Sequence, residues 1–140
     1  MDKNYIIETK NLTKQYGSQK SVADLNIHVQ KGRIYGLLGR NEAGKTTTMK
    51  MLLGLTKPTS GEVKIWGKSL QGNEKKLLPR IGSLIESPGF YPNLTATENL
   101  RIFATLRGVP NRHAIKDALD LVGLPYKDKK LFSQYSLGMK

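Results

Sequence analysis

The chain has 140 residues, 38% hydrophobic and 24% charged, an ordinary soluble-protein composition and enough length for one domain or most of one. It has no cysteine, which excludes a disulfide framework and a thiolate metal site, and no apolar run approaches the roughly 20 residues that a membrane-crossing helix needs. The 23 Lys+Arg against 11 Asp+Glu, a formal net charge of +12, favour anionic partners; the lysines are scattered without an aromatic ladder, which argues against a single-strand nucleic-acid groove.

In chain order, the opening "MDKNYIIETK" lacks the apolar core and small-residue cleavage site of a signal peptide. "YIIETKNL" and "VADLNIHV" alternate apolar and polar residues, as half-buried strands do. In the second, Leu25, Ile27 and Val29 share a face, and "GSQK" before it reads as a turn. "RIYGLLG" reads as a short apolar strand bounded by glycines. "TTTMKMLLGL" then takes helical spacing, with Met49, Leu52 and Leu53 expected to face inward. "KPTSG" is a turn, "EVKIWG" an alternating strand ending at Gly67, and a further strand is expected from about Ile81 to Ile85. Past Ser87 comes a proline- and glycine-rich loop, then two helices. The first opens on Thr95 and Glu98, spaced as a capping box, and ends at Gly108 and Pro110. The second is stopped by Gly123 and Pro125. The division expected is residues 1–89 as a mixed strand-and-helix core and 90–140 as a helical part of the same domain.

Gly39, Arg40, Asn41, Glu42, Ala43, Gly44, Lys45 and Thr46 fit the pattern G-x-x-x-x-G-K-[ST], between a predicted strand and a predicted helix. The chemistry needs these residue types. A polyphosphate is a dense anion. Glycines at 39 and 44 let the backbone wrap close, so that N–H groups face the oxygens. The helix starting near Lys45 turns its positive end to the phosphates, and Lys45 adds a point charge at the β and γ oxygens. The Thr46 hydroxyl suits Mg²⁺, which takes oxygen ligands, and Thr47 can add a phosphate contact. Glu42 sits awkwardly, because a carboxylate in an anion-binding loop opposes phosphate.

A phosphate loop alone names no family. The wider stretch "LTKQYGSQKSVADLNIHVQKGRIYGLLGRNEAGKTTTMKMLLGLTKPTSGEVKIWG" resembles the opening of an ATP-binding-cassette (ABC) transporter ATPase, and the resemblance runs from about Ile6 to Lys140. It implies an α/β fold: a P-loop NTPase nucleotide-binding domain of ABC type, incomplete, with antiparallel β edge strands and a helical subdomain. It places Tyr16 where the family stacks an aromatic on adenine. Glu86 falls where most members have glutamine, at the loop that links the nucleotide site to the membrane partner, and could ligate Mg²⁺ or a water. Glutamate there is similar to the bacitracin-resistance and lantibiotic-immunity branch. Tyr135, Ser136, Leu137, Gly138 and Met139 align with the signature motif, which in the family completes the ATP site of the opposite subunit. Ser136 and Gly138 match it, and Leu137 and Met139 depart.

The resemblance implies ATP and Mg²⁺ as ligands, a membrane-spanning permease and a second ATPase subunit as partners, and a place at the cytoplasmic face of the membrane. It also places the groups that cut phosphate, an Asp-Glu pair and a later His, beyond the signature motif. Hydrolysis is therefore not expected of these 140 residues alone. Asp117 and Asp120 sit in a helical pattern, and His28 and His113 read as surface or structural residues. With the flanking strands also expected beyond Lys140, apolar edges should be exposed and stability marginal. Three alternatives remain open: a nucleotide-binding module without hydrolysis, a compact P-loop kinase using Glu86 as its acid, and a basic nucleic-acid binder whose DNA binding would be strong and salt-sensitive. Replacing Glu42 by glycine is expected to tighten ATP binding, checked by titrating both proteins with ATP.

Overall fold

The computed structural model describes residues 4–40, 44–87, 89–109 and 112–140, the last without the Arg112 side chain. The chain forms two compact units, one ending at Ile85 and the other beginning at Glu86.

The first unit is built on β1 (Tyr5–Tyr16), which pairs antiparallel with β2 (Gln19–Leu25), β3 (His28–Gln30) and β4 (Ser60–Ile65). Strand β5 (Lys68–Ser69) closes the order β2-β1-β4-β5. One strand serves three partners because it bends. Register shifts occur at Leu12/Lys14 and at Lys10/Thr13, and Asn11 takes φ 48, a value asparagine tolerates better than most residues. Gly61 of β4 crosses this bend so closely that a Cβ on it would lie 2.3 Å from the Asn11 carbonyl oxygen. The gap between β2 and β3 is held by Thr9, which is buried. Its hydroxyl donates to the Leu25 carbonyl and accepts from the Ile27 amide, each at 2.8 Å, so ladder groups left by the break are satisfied.

Helix α1 (Lys45–Leu52) packs on this sheet. Leu12, Val22, Met51, Val63, Ile65, Leu70 and Leu77 form the core, with Leu25, Leu52, Trp66, Leu78 and Ile81 against it. The short helix α2 (Glu74–Leu77) brings Leu77 into this cluster and runs into a 3₁₀ turn over Leu78–Arg80. The inward set of α1 differs from the sequence expectation. Met51 and Thr48 are buried, whereas Met49 is exposed. The helix meets β2 at its N-cap, where Gly44 lies against Ser21 and Val22.

Two expected strands are not formed. Residues 33–40 and 81–85 carry no strand pairing. Ile34 is 104% exposed and Leu38 94%, with Leu84 also exposed. A glycine-bounded apolar run of this kind suits a strand paired on both edges, and among the described residues neither segment has a strand partner. The sequence carries the propensity, but a strand forms only against a neighbour.

The second unit holds α3 (Ala96–Leu106) and α4 (Arg112–Leu121). The expected capping box is present. The Thr95 hydroxyl accepts from the Glu98 amide at 3.2 Å, and the Glu98 carboxylate accepts from the Thr95 amide at 2.8 Å. Asn99, 1% exposed, accepts from the Tyr91 amide and donates to the Tyr91 and Thr95 carbonyls. It thereby ties the loop before α3 to the helix. The later chain is strapped to the same helix start. Phe132 donates to the Leu94 carbonyl at 2.8 Å, the Lys127 amide to the buried Thr97 hydroxyl at 3.0 Å, and Thr95 bridges Leu131. Phe90 meets Phe103 and Phe132 edge to face at 5.1 and 5.2 Å, a favoured aromatic geometry.

The Thr95 amide, then the Thr95 hydroxyl, holds the Glu98 carboxyl below its ordinary value. A lowered folded value means that this contribution is present above the unfolded value and is lost as pH falls through the lowered one. Thr95→Ala should cost about 1 kcal/mol in urea unfolding of the second unit, and the gap between wild type and variant should narrow in acid. An unchanged midpoint at neutral pH would remove the box from the forces that hold α3.

Candidate functional site

Of the residues in the expected phosphate loop, Gly44 and Lys45 form the start of α1, and Gly39 and Arg40 are tied to Lys45. Gly44 caps this helix in the left-handed region, φ 84 and ψ 7. The same residue lies against β2, where a Cβ would come 2.2 Å from the Ser21 carbonyl oxygen and 2.9 Å from Val22 Cγ2. Both facts demand glycine. The Thr48 amide and hydroxyl donate to the Gly44 carbonyl, each at 2.8 Å, so the first turn closes tightly. No side chain among the described residues caps the helix and no acidic residue stands in its first turn. Its leading N–H groups and the positive end of its dipole are therefore available to an anion.

Lys45 reaches back across the loop. Its ammonium donates to the Arg40 carbonyl at 2.8 Å and to the Gly39 carbonyl. The cation of the first helical residue is thus held at residues 39 and 40. Thr46 is exposed and Thr47 partly so on the first turn of α1. Asn41, Glu42 and Ala43 lie outside the described residues.

Tyr16 ends β1 opposite Gln19. Ser21, which meets Gly44, is two residues farther along β2, roughly 7 Å by strand rise. Tyr16 and the residues that meet Gly44 therefore belong to one hairpin. The ring is 53% exposed, and Lys14 Nζ lies 5.0 Å from its centroid. Sequence reasoning missed Lys14. The only signal was its spacing of two from Tyr16, which puts both on one face of a regular strand.

The other expected residues belong to the second unit. Glu86 is its first residue, exposed, with φ 62, an uncommon conformation for glutamate. Thr46 stands in the first unit. Among the described residues no three His, Asp or Glu form a metal-holding group. Mg²⁺ held by one hydroxyl and by phosphate oxygens requires no such group, and the exposed Thr46 hydroxyl at an uncapped helix start fits that mode. Tyr135 is buried, with its hydroxyl unpaired. Burial, then the Asp128 carboxylate, pushes that hydroxyl above the usual phenol range. Ser136, Leu137 and Gly138 beyond it are exposed, with Met139 partly so, and the Met139 amide donates to the Ser136 carbonyl at 3.1 Å. Tyr135 is thus the root of the signature-like turn and the next three residues its outer surface.

The sequence pattern described as ABC transporter matches residues 22–140. The chain belongs to the ABC transporter family. Among relatives of this ABC chain, the bacitracin transport ATP-binding protein BcrA of Bacillus licheniformis is 58% identical over 135 residues, which are 96% of this chain and 44% of that protein. The lantibiotic transport ATP-binding protein SrtF of Streptococcus pyogenes is 39% identical over 135 residues, 96% of this chain and 57% of that one. A solved structure, a putative ABC transporter ATP-binding protein from Pyrococcus furiosus, superposes with a TM-score of 0.75 at 27% identity, covering 93% of this chain and 62% of its own. The ABC chain thus has the α/β nucleotide-binding fold of its family, with an antiparallel sheet and a helical part, over part of the length of these relatives. Kinship with the bacitracin and lantibiotic branch, expected from Glu86 and the 135–139 segment, is borne out by the two curated relatives.

Gly44→Ala tests the helix seat of the ABC chain. A side chain there must leave the left-handed region or displace β2, so unfolding in urea should show a loss of at least about 2 kcal/mol. Wild-type stability would mean that α1 does not need this contact.

Proposed function

We propose that the chain binds Mg-ATP as the leading portion of the ATPase subunit of an ABC exporter of peptide antibiotics. The observation that carries the reading is the uncapped start of α1, fixed by Gly44 with Lys45 folded over the same loop. ATP phosphates would lie in the loop from Gly39 to Gly44, including Arg40, Asn41, Glu42 and Ala43. Backbone N–H groups, the helix dipole, Lys45 and Thr47 would meet them. Thr46 would supply an oxygen ligand to Mg²⁺, which would neutralise part of the phosphate charge when bound. Tyr16 would stack on adenine.

The peptide-antibiotic substrate is supported by the likeness to the bacitracin and lantibiotic transport proteins. No helix among the described residues is long and apolar enough to cross a membrane. We place the chain at the cytoplasmic face, against a separate permease and a second ATPase subunit that receives the turn at Ser136 to Gly138. Residues 1–89 would form the ATP-binding core and 90–140 the helical part. Within these residues the chemistry is binding and orientation. Asp120 is paired with Lys116 at 2.6 Å on the exposed face of α4 and Asp117 is exposed beside it, and phosphate binding at Lys45 calls on neither. Hydrolysis in the complete protein would draw on further groups.

Calorimetric titration with ATP, with and without Mg²⁺, tests the reading. Lys45→Ala should weaken binding at least about tenfold, since a charge-assisted contact is lost. Thr46→Ala should abolish most of the affinity that Mg²⁺ adds. Unchanged binding in the Lys45 variant would reject the phosphate site.

A further inference from the structure

Lys14 is tied to two things at once. Its ammonium sits 5.0 Å from the centroid of the Tyr16 ring, within cation–π range, and it donates to the Lys57 carbonyl at 2.7 Å. Lys57 lies just beyond the end of α1. The same turn is fastened to the end of β1 twice more. The Thr59 amide donates to the Thr13 carbonyl at 2.8 Å, and the Thr59 hydroxyl accepts from the Gln15 amide at 3.0 Å. The ring is thus held by a cation whose own place is fixed by the turn that follows the phosphate-loop helix. Tyr16 is 53% exposed, so surface remains for a second planar partner.

We propose that Lys14 is a positioning residue for the nucleotide base. The proposal rests on the reading above, in which Tyr16 stacks on adenine. Its ammonium covers part of the ring and restricts its rotation, which lowers the entropy lost when a base stacks. It also draws the π electrons toward itself, so the opposite face is less negative and better suited to an electron-rich purine. Because the Lys57 carbonyl anchors the ammonium, the ring is set at a fixed place relative to the turn that leaves α1. Base recognition and phosphate recognition would therefore share one rigid reference.

The test separates base from phosphate. Affinities of the full chain for ATP and for inorganic tripolyphosphate are measured by calorimetry in Mg²⁺, and their ratio isolates the contribution of the nucleoside. Lys14→Met should lower that ratio about threefold, with tripolyphosphate binding unchanged. Lys14→Arg, which keeps a cation able to stack and to reach the carbonyl, should restore it. Tyr16→Leu should lower the ratio further. If Lys14→Met leaves the ratio intact while Tyr16→Leu lowers it, stacking stands and the role of Lys14 falls. An equal loss for both ligands in Lys14→Met, or no rescue by arginine, also overturns the proposal. A ratio unmoved by Tyr16→Leu removes the stacking reading itself, and the role of Lys14 with it.

Discussion

Gly44 stands where α1 meets β2, and no side chain fits between them. That exclusion does more than permit a turn. It fixes the height at which α1 leaves the sheet, and with it the direction of the helix dipole. It also decides which residues of α1 face the core, so Thr48 and Met51 go inward in place of Met49. Because β2 is hydrogen-bonded to β1, the contact reaches through one hairpin to Tyr16. A single missing methyl group therefore underlies both the start of α1 and its seat on the hairpin that bears Tyr16.

The polar interior follows a similar economy. Thr9 substitutes for ladder partners where β2 breaks into β3, and Asn99 binds the loop before α3 through both ends of its amide. In each case a short side chain mimics backbone, which lets an irregular segment be buried without orphaned groups. These residues hold the two units in shape without touching the proposed ligand.

The sequence showed what local chemistry determines. The antiparallel strands were legible from alternation, the helix at 96–106 from Thr95 and Glu98, and the helix beginning at Lys45 from its spacing. Helix rotation was not legible, because it depends on the approach of Gly44 to Ser21, residues 23 apart in the chain. Neither was the place of Lys14, which is fixed by a carbonyl at Lys57 that no local pattern announces. The strands expected at 33–39 and 81–85 show the converse limit. Their apolar runs state a preference, and pairing requires neighbours that lie elsewhere in space.

Those unpaired runs have a consequence for handling the protein. Ile34, Leu38 and Leu84 present bare apolar side chains next to unpaired backbone, the kind of surface that joins edge to edge between molecules. The net charge of +12 opposes such encounters. Repulsion of this kind reaches about 10 Å at 0.1 M ionic strength and about 3 Å at 1 M. Colloidal behaviour should therefore be governed by salt. Dilute buffer keeps the molecules apart, and concentrated salt shortens the range of repulsion and strengthens apolar association together.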